Sequence, residues 1–262
     1  KLWTFGCSFT SEYNFTPYNG AINQMINYKE WRNGSEPKLW ATILADKLNL
    51  EEKNLGYPGS SVYKIFDAFC NNCHLIERGD VVIVEWTRLQ RFRVCLHGNF
   101  PTVLPVHNKD TNTILSYKTT AQIQVNRDER PFIEEVYSFQ NFIEEFCNSL
   151  GCEIYFWSAD DEIINKESNE FKSKRKYLFP EANIDMTQYL RRKYGAETIH
   201  EETSGEVLDQ QHYGEKGHTV MGEIFYNEII IYTELKAKVL KFYCLNRNLS
   251  CQNGQIPAKI AN

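Results

Sequence analysis

The sequence predicts an α/β protein: three layers, α/β/α, around a mainly parallel sheet. Three observations lead there. Short apolar runs alternate with longer amphipathic stretches along the chain, the order of strand and helix that builds parallel sheets. Two of the runs, "DVVIVEW" and "CEIYFWS", are apolar without alternation, as expected of interior strands covered on both faces. The chain has 262 residues, 42% of them hydrophobic, which suffices for one sizeable core.

The elements follow in order. Residues 2–5, Leu-Trp-Thr-Phe, end on Gly6 and read as a buried strand. Residues 11–36 are rich in Asn, Tyr, Gly and Ser and read as a long inserted loop. In "PKLWATILADKLNL", Leu39, Trp40, Ile43, Leu44 and Leu48 share one helical face, with Pro37 ahead of the start. "EEKNLG" is a short strand ending at Gly56. "GSSVYKIFDAF" begins a helix capped by Ser60 or Ser61. "DVVIVEW" has a β-branched run and is the strongest strand signal. Residues 92–131 read as a β-rich insertion. "IEEVYSFQNFIEEFCNSLG" is a helix stopped by Gly151, and "CEIYFWS" a strand. Residues 160–205 form a charged, loop-rich insertion with helical pieces near 167–177 and 186–194. "EKGHTVMGEIFYNEIIIYTEL" is a last long helix, followed by a C-terminal extension over about 236–262. The expectation is one domain over residues 1–262 carrying these insertions.

Composition narrows the function. A net charge of −5 disfavours a dedicated nucleic-acid binder. The basic clusters "KSKRK" (172–176) and "RRK" (191–193) read as solvated faces. No apolar stretch has the length of a membrane span. No signal peptide is visible, which leads to the expectation of a cytoplasmic protein, or one assembled without a signal peptide. The chain starts at Lys1 without methionine, so residues missing ahead of it are also expected. Eight scattered cysteines read as buried free thiols. "CNNCH" at residues 70–74 has the spacing of a haem-attachment motif, and a zinc or redox site is a second reading. It lies within an amphipathic helix and lacks a second ligand pair, so packing is the reading adopted.

Two motifs carry chemistry. Gly6-Cys7-Ser8 follows the first strand, placing Ser8 at the carboxyl edge of the sheet, where ligands of such folds sit. Small residues there allow a backbone N–H to approach a substrate oxygen. In "LDQQHYGEKGH", Asp209 and His212 are three apart, just ahead of the last helix. That spacing lets a carboxylate hold Nδ1 of the imidazole and leave Nε2 as a base. Gly59, Thr87 and Ser158 are expected at the same edge.

Together these blocks resemble the SGNH (GDSL-type) hydrolases, whose fold is flavodoxin-like. Gly6-Cys7-Ser8 stands where that family has its GDS-like block, with cysteine in place of aspartate. "NLGYPGSS" supplies Asn54 and Gly59 in the second block. "DQQHYGEKGH" matches the last block in spacing, and "PKLWATILADKL" resembles the family's first helix. The likeness covers about residues 2–10, 37–90 and 140–235. It implies a serine esterase using a Ser8–His212–Asp209 triad, with the Ser8 and Gly59 N–H groups as the oxyanion hole. It implies no metal or other cofactor. Among esters, O-acetyl groups on carbohydrate are the favoured substrate, with Tyr13, Phe15, Tyr18 and Trp31 as aromatic rings suited to sugars. One block departs: after "VVIVEW" the family has a Gly-x-Asn-Asp motif, whereas this chain continues Thr87-Arg88. Thr87 and Arg91 are the candidate replacement donors or substrate contacts. The alternative reading is a non-catalytic binding or structural module with a vestigial site. Cys7 as nucleophile is a third. The oligomeric state is left open.

Overall fold

The computed structural model describes residues 1–11, 30–87, 92–93, 102–103, 130–158, 176–178, 186–194, 202–203, 206–207 and 214–246. Four parallel strands form the sheet: β1 (Leu2–Phe5), β2 (Glu52–Asn54), β3 (Val81–Trp86) and β6 (Glu153–Ser158), in the order β2-β1-β3-β6. The register sets Leu2 between Glu52 and Val81, and Val81 opposite Glu153. The β-branched run of β3 is thus an interior strand, as its unbroken apolarity predicts. Two antiparallel pairs lie outside this sheet: β4 (Phe92–Arg93) with β5 (Thr102–Val103), and β7 (Glu202–Thr203) with β8 (Glu206–Val207).

Alternation along each strand sends side chains to two separate cores. Trp3, Phe5, Val82, Val84, Trp86, Ile154 and Phe156 face helices α2 (Val62–Asn72) and α3 (Arg130–Leu150). Leu2, Ile83, Tyr155 and Trp157 face α1 (Trp40–Leu48), α4 (Met186–Tyr194) and α5 (Glu215–Asn246). These are the three layers expected. Ser61, with extended backbone, caps α2 by accepting the Lys64 N–H at 3.4 Å. Gly151 ends α3 at φ +76°, a conformation that glycine adopts without steric cost. Gly222 lets α5 approach α1: a Cβ there would lie 2.7 Å from Ile43 Cγ2. No described helix is long and apolar enough to cross a membrane.

Three expectations need correction. The last helix does not stop near residue 235 but continues to Asn246. Its outer half is rich in Lys, Leu and Ala, strong helix formers. Tyr177 is extended rather than helical, while residues 167–175 lie outside the described residues. The Phe156 N–H donates to the Lys176 carbonyl at 2.9 Å, and the Leu178 N–H to the Phe156 carbonyl at 2.8 Å, so the free edge of β6 captures this segment. Cysteine burial is mixed: Cys7, Cys147 and Cys152 are buried, but Cys73 is half-buried and Cys70 exposed, at the end of α2.

Glu153 ties this edge together, pairing with Lys176 and with Lys236 of α5. Burial pushes its carboxyl up, but the two ammonium groups outweigh that and hold it below its ordinary value. A depressed folded-state value contributes stability above the unfolded value, and that stability is lost as pH falls through the folded one. Glu153→Gln is therefore expected to melt below the parent at pH 7. Melting curves should converge as pH drops well under about 4.3, the ordinary glutamate value. A gap that persisted at pH 2.5 would assign the loss to packing instead.

Candidate functional site at the carboxyl edge of the sheet

Four parallel strands bring their carboxyl ends to one edge. Ser8 follows β1, Asn54 ends β2 with Gly59 in the turn beyond it, Thr87 follows β3, and Ser158 ends β6. The topology therefore gathers the edge residues that the sequence assigned to it.

The chain makes a helical turn directly after β1. The Cys7 carbonyl accepts from the N–H groups of both Thr10 (3.1 Å) and Ser11 (2.9 Å). Ser8 thus opens the turn, where N–H groups have no partner within it. Ser8 is half-buried, and its hydroxyl lies 3.9 Å from Cys7 Sγ. The Ser8 carbonyl accepts from Ser11 Oγ at 3.4 Å.

Beneath the turn sits Glu85, wholly buried on β3. Its Oε2 accepts from the Cys7 N–H at 3.0 Å and from Thr10 Oγ1 at 2.6 Å, and its Oε1 from the Cys7 thiol at 2.7 Å. Gly6 has a specific reason here: a Cβ would lie 2.4 Å from Glu85 Oε2 and 2.5 Å from Thr10 Oγ1. The glycine makes room for an internal carboxyl, whereas the sequence reading assigned its smallness to substrate approach.

Two further elements hold the same turn. Asn54 Nδ2 donates to the Thr10 carbonyl at 2.7 Å, while its Oδ1 accepts the Gly56 N–H at 3.0 Å. Trp40 Nε1 donates to the Phe9 carbonyl at 2.9 Å. His218, buried on α5, accepts the Trp40 N–H on Nδ1 at 3.4 Å, in the packing role that its place within the helix implies. The β2–α2 turn lies alongside. Its Gly59 takes φ +72°, and the Tyr57 carbonyl accepts both the N–H (3.2 Å) and the hydroxyl (2.8 Å) of Ser60. Lys64 Nζ stands 3.2 Å from the centre of the Tyr57 ring, and burial lowers its pKa.

Of the residues proposed for catalysis, Ser8 and Gly59 are placed at this edge and Thr87 is buried beside it. Asp209, His212 and Arg91 lie outside the described residues, as do Tyr13, Phe15 and Tyr18. The start of α5, three residues beyond His212, is described: its Glu215 pairs with Arg32. Trp31 is exposed. Ser158 is buried and donates to the Trp86 carbonyl at 3.0 Å. The Cys7 thiol, also buried, faces Glu85. Cys73 Sγ donates to the Cys70 carbonyl at 3.2 Å, and no group of residues able to hold a metal occurs among the described residues. Sequence reasoning passed over Glu85. A signal was present, since a carboxylate inside an otherwise apolar buried strand demands partners.

The chain is similar to several solved structures. One is described as a lipolytic protein of the G-D-S-L family, from Desulfitobacterium hafniense: 14% identity, TM-score 0.45, covering 87% of this chain and 98% of that one. A G-D-S-L lipolytic protein from Veillonella parvula gives 15% identity and a TM-score of 0.40, covering 87% and 95%. A Bacillus subtilis protein gives 11% and 0.44, covering 88% of this chain and 56% of its own. No protein-family model and no curated protein matches the chain.

Proposed function

We propose that this chain is a serine ester hydrolase of the SGNH type. Ser8 Oγ attacks the ester carbonyl, and His212 takes its proton and returns it to the leaving alcohol. Asp209 holds the imidazole and stabilises its charged form. The Ser8 and Gly59 N–H groups receive the oxyanion, with Thr87 or Arg91 as a third donor. The observation that carries the reading is the Ser8 turn. A hydroxyl at the carboxyl edge opens a helical turn fixed from below by Glu85, from β2 by Asn54 and from α1 by Trp40. A nucleophile needs that kind of rigid seat. O-acetylated carbohydrate is the substrate class proposed. Trp31 and Tyr57 are exposed aromatic residues of the kind sugar rings stack on, Tyr57 two residues before Gly59.

The reading is tested with a fluorophosphonate probe and peptide mass spectrometry. Ser8 should carry the label, Ser8→Ala should lose it, and His212→Ala should lose most of it. Label that survives Ser8→Ala but disappears in Cys7→Ala would move the chemistry to the thiol. No label on any residue would favour the second reading, a binding module with a vestigial site. What favours that reading is the end of β3, where Trp86-Thr87 stands without the family's asparagine.

A further inference from the structure

Glu85 is a carboxyl group with no exposure to solvent, in a position on β3 whose face neighbour, Ile83, simply packs. Such a group persists only where donors compensate its lost hydration. Its donors among the described residues include the Cys7 N–H, the Cys7 thiol and the Thr10 hydroxyl, all within two residues of Ser8. Three converging donors suit a carboxylate, which only accepts. Gly6 completes the fit, because its missing Cβ is the space that the carboxylate and the Thr10 side chain occupy. The geometry points to Glu85 as a positioning residue for hydrolysis: its carboxylate clamps the Cys7–Thr10 turn from beneath and so fixes where Ser8 stands.

This rests on Ser8 being the nucleophile. The clamp has a direct consequence for the turn. The Cys7 N–H is bound inward by Glu85, so the next amide, that of Ser8, is the one left to receive an oxyanion at the edge. Releasing the clamp frees the Cys7 end of the turn while Asn54 and Trp40 still hold the Thr10 and Phe9 carbonyls, so Oγ and the Ser8 N–H shift together. Rate is lost while the neighbouring Tyr57–Gly59 turn stays in place, so the effect falls on kcat more than on KM.

The test measures p-nitrophenyl acetate hydrolysis by the full chain. Glu85→Ala is expected to lower kcat by about 10²-fold, the cost of misplacing a reacting group by about 1 Å, with KM within about twofold. Glu85→Gln keeps one oxygen for the Cys7 N–H and the Thr10 hydroxyl and should recover most of that loss. If Glu85→Ala does not fold, Thr10→Val replaces it, with kcat down about tenfold and Thr10→Ser restoring the rate. Ile143→Ala, a cavity in the opposite core, serves as a destabilised control and should keep the parental kcat. A folded Glu85→Ala, or Thr10→Val in its place, with parental kcat would overturn the positioning role. So would Ile143→Ala if it lost as much kcat, because lower stability would then explain the effect. A parent no more active than Ser8→Ala overturns the hydrolase reading itself and the clamp's role with it, and that outcome is read before any Glu85 variant is made.

Discussion

Ser8→Ala is expected to lower ester turnover by at least about 10³-fold while the protein stays folded. The size follows from the role proposed for Ser8: without a nucleophilic Oγ no acyl-enzyme would form, and only binding and the oxyanion donors would still act on the ester. The fold should persist because the hydroxyl contributes little to the turn. Its contact with Cys7 Sγ is long, at 3.9 Å, and the bonds from Thr10 and Ser11 to the Cys7 carbonyl do not involve it. Stability should therefore change by no more than about 0.5 kcal/mol, the range of a substitution away from core and caps. His212→Ala should match the loss, and the double variant should add little, because the groups act as a unit. In the parent, turnover should fall below about pH 6.5, where an ordinary imidazole takes up a proton. A rate that stayed level to pH 5 would remove His212 as the base, and a Ser8→Ala protein as active as the parent would remove Ser8 as the nucleophile.

Much of this architecture is legible in the sequence because it rests on local pattern. The unbroken apolarity of residues 81–84 fixes an interior strand, and the serine before Val62 and the glycine after Leu150 mark helix ends through their own backbone chemistry. What was missed depends on contacts between distant segments. Glu85 and Cys7 are 78 positions apart, and nothing in either neighbourhood declares the bond. Gly6 looked like a concession to substrate because its true occupant, a carboxylate from another strand, is visible only once β1 and β3 are paired. Tyr177 falls in a stretch of helical pattern because its pairing with the edge of β6 leaves no trace in the local sequence. The site divides in the same way. The Ser8 turn, Gly59 and Thr87 follow from strand ends, whereas the Asp209–His212 half rests on motif spacing alone.

The second large effect is expected at Trp40, which joins the core to the site. Its indole is wholly buried, edge-on to Trp157 at 5.7 Å and to Phe225 at 5.0 Å, so it binds α1, β6 and α5 into one cluster. Trp40→Ala should cost about 3–5 kcal/mol, the usual loss for a large aromatic residue cut down in a close-packed interior. Against a total stability of about 5–15 kcal/mol this is a large share, and the variant should unfold at distinctly lower denaturant concentration. Trp40→Phe separates the two roles of the ring. Most of the packing is retained, but the Phe9 carbonyl loses the 2.9 Å donation from Nε1. Losing one intramolecular hydrogen bond costs about 0.5–1.5 kcal/mol, so the melting transition should move only part of the way toward that of Trp40→Ala. Because Phe9 adjoins Ser8, turnover by Trp40→Phe should fall further than its modest loss of stability explains, and at temperatures where the variant is fully folded. Parental turnover in folded Trp40→Phe would confine Trp40 to the core and leave Glu85 and Asn54 as the supports of the turn.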